Sequence, residues 1–493
     1  MDPWSTSSFY FGNVIGEGRF GKVYHGKYKK EPQSQHRRQL FLRDSSLIAD
    51  RSTNINTDDV AIKAMDKLQI VKDRKTQMVL RERNILTKLG DACTCADLCA
   101  EAGKGTGTGT NKSGNTRPCR TVRLFMSFVD DQNLYLVTEL CEIGTLSAFR
   151  ESISTFKVTS TNSKSDKSIP FPIDIIQIFA GQILAAVEFM HSHCVVHCDL
   201  KPDNIMIDRH FQIKIVDFGC AIDVSTFIPD VPSNLGSNKK NTITNPDIDF
   251  AGTADYVSPE VIKGASNGDV KKGNTQSAHR DKSVASRIFE DLDAATPTRM
   301  KNGKKNSLPV FQLEYAHAID LWAYGCLLYF MLEGEAPFHG QSEELTIRRI
   351  IEYVRMYEEQ DDDELVRLQC FQRKRKGDAD VDADAEDNKY ENTEGKGMRN
   401  SCLDLVNGLL VPNPGDRLGA SEQLSSKDNN VYNPIRSHEF YNGFNWGQID
   451  QNEELNEQHR HTLTMLLSSK RLNVDIRRED MYDGASLPFD FFT

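Results

Sequence analysis

The segment His197-Cys198-Asp199-Leu200-Lys201-Pro202-Asp203-Asn204 is followed by Asp217-Phe218-Gly219. These residues supply a carboxylate to orient and deprotonate an attacking hydroxyl, a lysine to offset charge on a transferred phosphoryl group, and an Asn and an Asp to hold a divalent cation. Upstream, Gly16-Glu17-Gly18-Arg19-Phe20-Gly21-Lys22-Val23 fits G-x-G-x-x-G-x-V. Glycines so spaced let backbone N–H groups approach a phosphate chain without Cβ interference, although a tight hairpin alone produces the same pattern. Val60-Ala61-Ile62-Lys63 closes an apolar run with a lysine, and Glu82 lies within the amphipathic segment 75–89. A lysine beside a low-dielectric pocket needs a partner, so a glutamate from a neighbouring helix can hold it against phosphates; taken singly, each is also an ordinary surface charge. Four such pieces in this order make phosphoryl transfer the chemistry to expect.

Positioning these groups requires strands first and helices second. Val60–Met65 and Leu134–Leu140 are apolar runs of strand length, and Lys75–Leu89 spaces Met78, Val79, Ile85, Leu86 and Leu89 as a helix would. Ile173–Met190 carries Ile176, Phe179, Ile183, Leu184, Val187 and Met190 on one stripe, while Ile319–Leu332 is apolar nearly all round, as in a helix buried on every side. The order predicts an α+β chain with a small β-sheet lobe carrying one main helix, followed by a larger helical lobe. Polar tracts at about 29–58, 91–117, 151–169, 224–247, 265–310 and 359–399 bury too little apolar surface to offset ordering entropy and read as exposed, largely disordered insertions. No internal repeat of fixed period is present.

Ser258-Pro259-Glu260, Asp320-Leu321-Trp322-Ala323-Tyr324-Gly325 and an Arg417 placed to pair with Glu260 complete a pattern that resembles the eukaryotic protein kinases over about 9–446. Asp199 through Asn204 is similar to the serine/threonine form of the catalytic loop. Lys63–Leu89 runs without a gap alongside the 3-phosphoinositide-dependent protein kinases of the AGC group, and Arg81-Glu82-Arg83, residues 250–260 and Asp416-Arg417-Leu418-Gly419 resemble them too. The resemblance implies a bilobal protein-kinase fold, ATP and Mg²⁺ as cofactors, and transfer of the γ-phosphoryl group to serine or threonine of protein substrates. The expected targets are activation loops of other AGC kinases, with this chain as their upstream activator in intracellular signalling.

Particular roles come with the resemblance. Asp199 would orient the hydroxyl and accept its proton, Lys201 stabilise developing charge, Asn204 and Asp217 hold Mg²⁺, and Lys63 held by Glu82 position the phosphates. Ile15, Gly16, Gly18, Gly21, Val23 and Ala61 would surround the nucleotide, with Thr138 as gatekeeper and Glu139 and Cys141 offering backbone groups to adenine. Thr253 would support Asp199 and Lys201. Lys67, Ile70, Val71, Val79 and Arg83 would line a docking pocket for the hydrophobic motif of substrate kinases; a generic helix face packing on the small lobe is the alternative. An AGC kinase with different substrates, docked by its own tail, and a scaffold whose kinase fold merely binds nucleotide are the competing functions.

Several positions depart from the family. Cys198 replaces the usual arginine before the catalytic aspartate, and Asp249 stands at the phosphorylated serine of the activation loop. A carboxylate carries one charge where a phosphoserine carries nearly two, so losing one arginine balances losing one charge, and Arg81 is expected to pair with Asp249. Thr145 occupies the position of an acidic ribose contact. Residues 448–493 are too few for a lipid-binding domain of roughly 100 residues, so direct membrane-lipid recruitment is not expected. The tail 447–493 ends Phe489-Asp490-Phe491-Phe492-Thr493, which resembles an AGC hydrophobic motif and could fill the pocket near Ile70 and Val79 in cis.

Composition excludes other classes. The 493 residues include 71 Asp plus Glu against 60 Lys plus Arg, a net charge of −11, which argues against nucleic-acid binding through an overall basic surface. The apolar stretches Ile178–Met190 and Leu321–Leu332 fall short of the roughly 20 residues that span a bilayer. Eleven cysteines without framework spacing fit a reducing compartment. The expected location is the cytoplasm, with the nucleus added if Arg373–Lys376 is a localisation signal. Cys93, Cys95 and Cys99 lack the paired spacing of a zinc site and read as a thiol-bearing loop. Asp380, Asp382, Asp384 and Glu391 imitate a calcium loop, but Ala385 replaces its required glycine, so a solvated acidic run is the simpler reading. Oligomeric state leaves no mark in the sequence.

Overall fold

A computed structural model describes residues 4–18, 21–29, 59–102, 120–154, 171–227, 254–268, 315–359, 393–420, 432–451, 453–468 and 482–483. In chain order the strands are β1 (Phe9–Gly18), β2 (Gly21–Tyr28), β3 (Asp59–Asp66), β4 (Leu124–Val129), β5 (Asn133–Glu139), β6 (Gly144–Thr145), β7 (Val195–Val196), β8 (Ile205–Ile207), β9 (Ile213–Ile215), β10 (Ile222–Asp223) and β11 (Tyr482–Asp483). The helices are α1 (Lys67–Lys72), α2 (Thr76–Ala102), α3 (Leu146–Ser154), α4 (Ile173–Ser192), α5 (Pro259–Gly268), α6 (Ala318–Glu333), α7 (Glu343–Glu359), α8 (Thr393–Leu409), α9 (Asn433–Arg436), α10 (Trp446–Asp450) and α11 (Glu457–Ser468). The chain divides into two compact units: Met1–Phe149 with Ile205–Gly219 and Gly447–Thr493, and Arg150–Asn204 with Cys220–Trp446.

The first unit is built on a sheet of order β11-β1-β2-β3-β5-β4, antiparallel throughout. One face buries Phe9, Phe11, Tyr24, Val60, Ile62, Phe128 and Tyr135, and the Phe128 ring stacks between Phe9 at 5.8 Å and Tyr135 at 4.7 Å. Alternation along β2 and β3 sends the neighbouring residues Val23, Ala61 and Lys63 to the opposite face. Asp66 caps α1 by accepting from the Gln69 N–H at 2.8 Å, and Arg74 at φ +57° turns the chain into α2. That helix runs on through Ala102, into residues the sequence reading assigned to an insertion beginning near 91. Ala92, Ala96, Ala100 and Ala102, with Leu98, keep helix propensity high where the apolar stripe has ended. Cys93, Cys95 and Cys99 therefore lie on a helix, not a loop.

In the second unit α6 is buried on almost every side, as its composition predicts. A Cβ at Gly325 would come within 2.9 Å of Leu409 Cβ, so glycine there lets α6 approach the end of α8 closely. Gly334, at φ +91°, ends α6 by donating to the Phe330 carbonyl at 2.8 Å. Helix α4 spans 20 residues, longer than the stretch 178–190 singled out in the sequence, and is long and apolar enough to cross a membrane by length and composition. However, residues 175–191 are all buried, which makes it a core helix here.

The expected pair of Arg417 and Glu260 forms as a buried double hydrogen bond of 2.9 and 3.1 Å. The guanidinium also donates to the Ala318 carbonyl at 2.5 Å and lies 5.2 Å from the Trp322 ring. Elements also reach into the other expected insertions: α3 to Ser154, a 3-10 turn over Val224–Phe227, α5 to Gly268, α7 to Glu359, and α8 from Thr393. The remainder of those tracts lies outside the described residues.

Candidate active site

Each unit holds one group of the residues singled out above. In the first, Lys63 on β3 donates to both oxygens of Glu82 on α2, at 2.7 and 2.9 Å. Burial alone would pull the Lys63 ammonium down, but the carboxylates of Glu82 and Asp217 hold it above the ordinary lysine value. Asp217 sits at φ +61°, in the left-handed region that a non-glycine residue adopts only when its surroundings demand it. Its Oδ1 accepts from the Gly219 N–H at 3.4 Å, and a Cβ at Gly219 would lie 2.6 Å from the Met78 methyl on α2. The motif Asp-Phe-Gly is thus fixed against the helix that carries Glu82.

The three glycines of the β1–β2 hairpin are not equivalent. At Gly21 a Cβ would sit 1.8 Å from the Ala64 carbonyl oxygen, so the sheet itself requires glycine. At Gly16 and Gly18 the nearest described atoms are 3.6 and 3.9 Å away, ordinary contact distances, and neither glycine has positive φ. Nothing described in the fold demands glycine at those two positions, which suits backbone approaching an external group. The residues present therefore fit a nucleotide's phosphates: paired ammonium, nearby carboxylate, and a hairpin with space over its backbone.

The other residues expected around a nucleotide belong to the same unit. Ile15 is exposed, Val23 and Ala61 are half-buried, and Cys141 is buried. Glu139 pairs with Lys214 at 3.1 Å and accepts from the Arg123 N–H at 2.8 Å, which secures the strand end before Cys141. Thr145 accepts from the Ala148 N–H at 3.1 Å and so caps α3.

In the second unit Lys201 donates to Asp199 Oδ2 at 2.9 Å. Asn204 Nδ2 donates to the same oxygen at 3.0 Å and to the Asp199 carbonyl at 2.8 Å. This leaves the Asn204 amide oxygen as the atom suited to a cation, while its nitrogen fixes the carboxylate. Just before them Cys198 stands at φ +63°, and its N–H donates to Asp320 Oδ1 at 2.9 Å. Asp320, which the sequence marked only as part of a buried helix, is therefore the anchor of this loop.

The expected docking residues do not form one exposed surface. Ile70 and Val79 are 5% and 3% exposed and pack with Met65 and Leu136. Lys67 donates to the Asp130 carbonyl and Arg83 to Asn84 Oδ1. What α1 turns outward is Val71 together with Leu68, the most exposed large apolar residue described, at 82%. The sequence reading missed Leu68 although it lies three residues before Val71 on the same helix face, because a six-residue helix is too short for the spacing to stand out. Asp249, Thr253, Phe489 and Phe492, the calcium-like run and Arg373–Lys376 lie outside the described residues.

Comparison with known proteins gives a match to the protein kinase domain family over residues 114–275 and 310–427. Among curated proteins, serine/threonine-protein kinase PKH3 of Saccharomyces cerevisiae is 23% identical over 70% of this chain and 26% of its own length. 3-phosphoinositide-dependent protein kinase B of Dictyostelium discoideum is 25% identical over 69% of this chain and 23% of its own length. 3-phosphoinositide-dependent protein kinase 1 of Homo sapiens is 23% identical over 90% of this chain and 49% of its own length. The chain thus spans less than half the length of each of these relatives.

Proposed function

The chain belongs to the protein kinase family, and from that premise we propose that it transfers the γ-phosphoryl group of Mg·ATP to serine or threonine hydroxyls of proteins. The observation that carries the reading is the Asp199–Lys201–Asn204 cluster, in which one carboxylate oxygen accepts from both partners. A carboxylate so held keeps its other oxygen free to accept a proton in a fixed direction.

Mg·ATP supplies the phosphoryl group and the divalent charge that offsets it. In the proposed mechanism Asp199 orients the substrate hydroxyl and takes its proton at Oδ1. Lys201, paired to Oδ2, places a positive charge where the transferred group becomes more negative. Lys63, held by Glu82, would bind phosphate oxygens, and Asp217 in the first unit and the amide oxygen of Asn204 in the second are each a candidate magnesium ligand. The glycines at 16 and 18 would let backbone N–H groups close over the phosphates.

The finer part of the proposal concerns substrates: activation loops of other AGC kinases, recruited through an aromatic hydrophobic-motif segment that packs on α1. The ungapped resemblance of 63–89 to the 3-phosphoinositide-dependent kinases supports it, as do the exposed Leu68 and Val71. An activation-loop peptide with and without a fused hydrophobic-motif segment tests this. Phosphorylation should rise with the segment, on the order of tenfold as for a tethered second site, and Val71→Glu should remove the rise. Equal rates on both peptides would discard docking, and no transfer to either, or to generic basic peptides, would favour the scaffold reading.

A further inference from the structure

The turn that delivers Asp199 is held by a line of buried groups reaching to a tyrosine far along the chain. Asp320 is fully buried on α6, and its two oxygens accept from two consecutive amides, His197 N–H at 2.8 Å and Cys198 N–H at 2.9 Å. This pair of bonds offsets the cost of the left-handed conformation at Cys198. Asp320 Oδ2 also lies 2.8 Å from His191 Nε2 on α4. On the far side of the ring, His191 Nδ1 is hydrogen-bonded to the hydroxyl of Tyr432.

The direction of each bond depends on which His191 nitrogen carries hydrogen. Burial alone would raise the Asp320 carboxyl, but the bonds from His191 and His197 hold it below the ordinary aspartate value, so it is ionised. An ionised oxygen at 2.8 Å from Nε2 requires Nε2 to carry a hydrogen. In the neutral tautomer assigned here His191 bears its lone pair on Nδ1. Burial keeps the Tyr432 phenol protonated well above the ordinary tyrosine range, so its O–H is a donor to that lone pair. Around this line stand the His317 ring, 6.0 Å from His191, and the Glu188 carboxylate, which acts on Tyr432.

We propose that Tyr432 is a positioning residue for Asp199: by donating to His191 Nδ1 it fixes the imidazole tautomer that keeps Asp320 bonded to the His197 and Cys198 amides. The proposal rests on the kinase reading for what the turn does, but not for how it is held. Without the hydroxyl, the imidazole loses its preference between tautomers, and with Nε2 bare one of the three donors to Asp320 is gone. The consequence falls on the orientation of Asp199, and the Lys63–Glu82 group is untouched.

The test compares wild type with Tyr432→Phe, which keeps the ring, and with Tyr441→Phe. The latter breaks another buried tyrosine bond in the same unit, that of Tyr441 with Tyr324, without contacting His191. Nitrogen NMR of ¹⁵N-histidine-labelled protein, with His191→Gln to assign the signal, reads the tautomer. The expected result is a protonated Nε2 and an acceptor-type Nδ1 in wild type and Tyr441→Phe, and a mixed signal in Tyr432→Phe. Phosphoryl transfer should show kcat lower by about tenfold in Tyr432→Phe only, with the KM for ATP unchanged. A His191 signal identical in wild type and Tyr432→Phe, or kcat within twofold of wild type, would overturn the proposal. A wild type that transfers no phosphate would refute the kinase reading instead, while the NMR signal still decides whether Tyr432 sets the tautomer.

Discussion

Lys63 and Glu82 show how a charge can be kept in a partly buried place for use by something else. Two hydrogen bonds to one carboxylate hold the ammonium, and Asp217 adds to the negative field around it. Glu82→Gln preserves the shape and one acceptor but removes the charge that fixes the lysine. Affinity for a non-hydrolysable Mg·ATP analogue, measured by calorimetry, should weaken by about tenfold, the size of a lost charge-assisted bond; unchanged affinity would show that the pair serves only the fold. At this scale the sequence was informative where a motif fixed both partners, as with Lys63 and Glu82 or Arg417 and Glu260. It was silent on Tyr432 and His191, and on the buried Arg120, which donates to the Ile449 carbonyl at 2.9 Å. No local periodicity records partners brought together only by tertiary packing.

Elements explain which glycines belong to the sheet and which to its ligand. In the β1–β2 hairpin, Gly21→Ala drives a Cβ into the Ala64 carbonyl and should destabilise the protein by several degrees in thermal unfolding. Gly18→Ala, with open space at the same distance scale, should melt like wild type yet bind the Mg·ATP analogue more weakly. Equal effects of the two substitutions on folding would contradict the distinction. The element pattern was otherwise readable from periodicity: β3, β5, α4 and α6 fall where apolar spacing puts them. The end of α2 was not, because alanine-rich sequence carries helix propensity without an apolar stripe, and composition alone made it look like the start of an insertion. Nor was β11, whose two residues pair with Tyr10 and Phe11 on the outer edge of β1, since two residues are too few for any pattern.

On the scale of the whole molecule, the chain returns to its first unit after leaving it, so neither unit is a simple stretch of sequence. The second unit carries a pH liability. His317 is buried, and burial, with the Arg417 charge nearby, pulls it from an ordinary 6.5 down to about 3. Among the described residues neither of its ring nitrogens has a hydrogen-bond partner. Because the unfolded chain takes up that proton first, the stability His317 confers is complete above about pH 6.5 and drains away as pH falls toward 3. Asp320, also held below its ordinary 3.8, adds to the loss below that value. The melting temperature should therefore drop steadily from pH 7 to 4, with a shallower slope for His317→Leu; parallel slopes would refute this. The most direct test of the account is transfer of radiolabelled γ-phosphate from Mg·ATP to a protein substrate, followed by phosphoamino-acid analysis, with Asp199→Asn as the comparison. Label on phosphoserine or phosphothreonine that disappears with Asp199→Asn is the predicted result. No label from a folded wild-type protein, or equal label from both proteins, would contradict it.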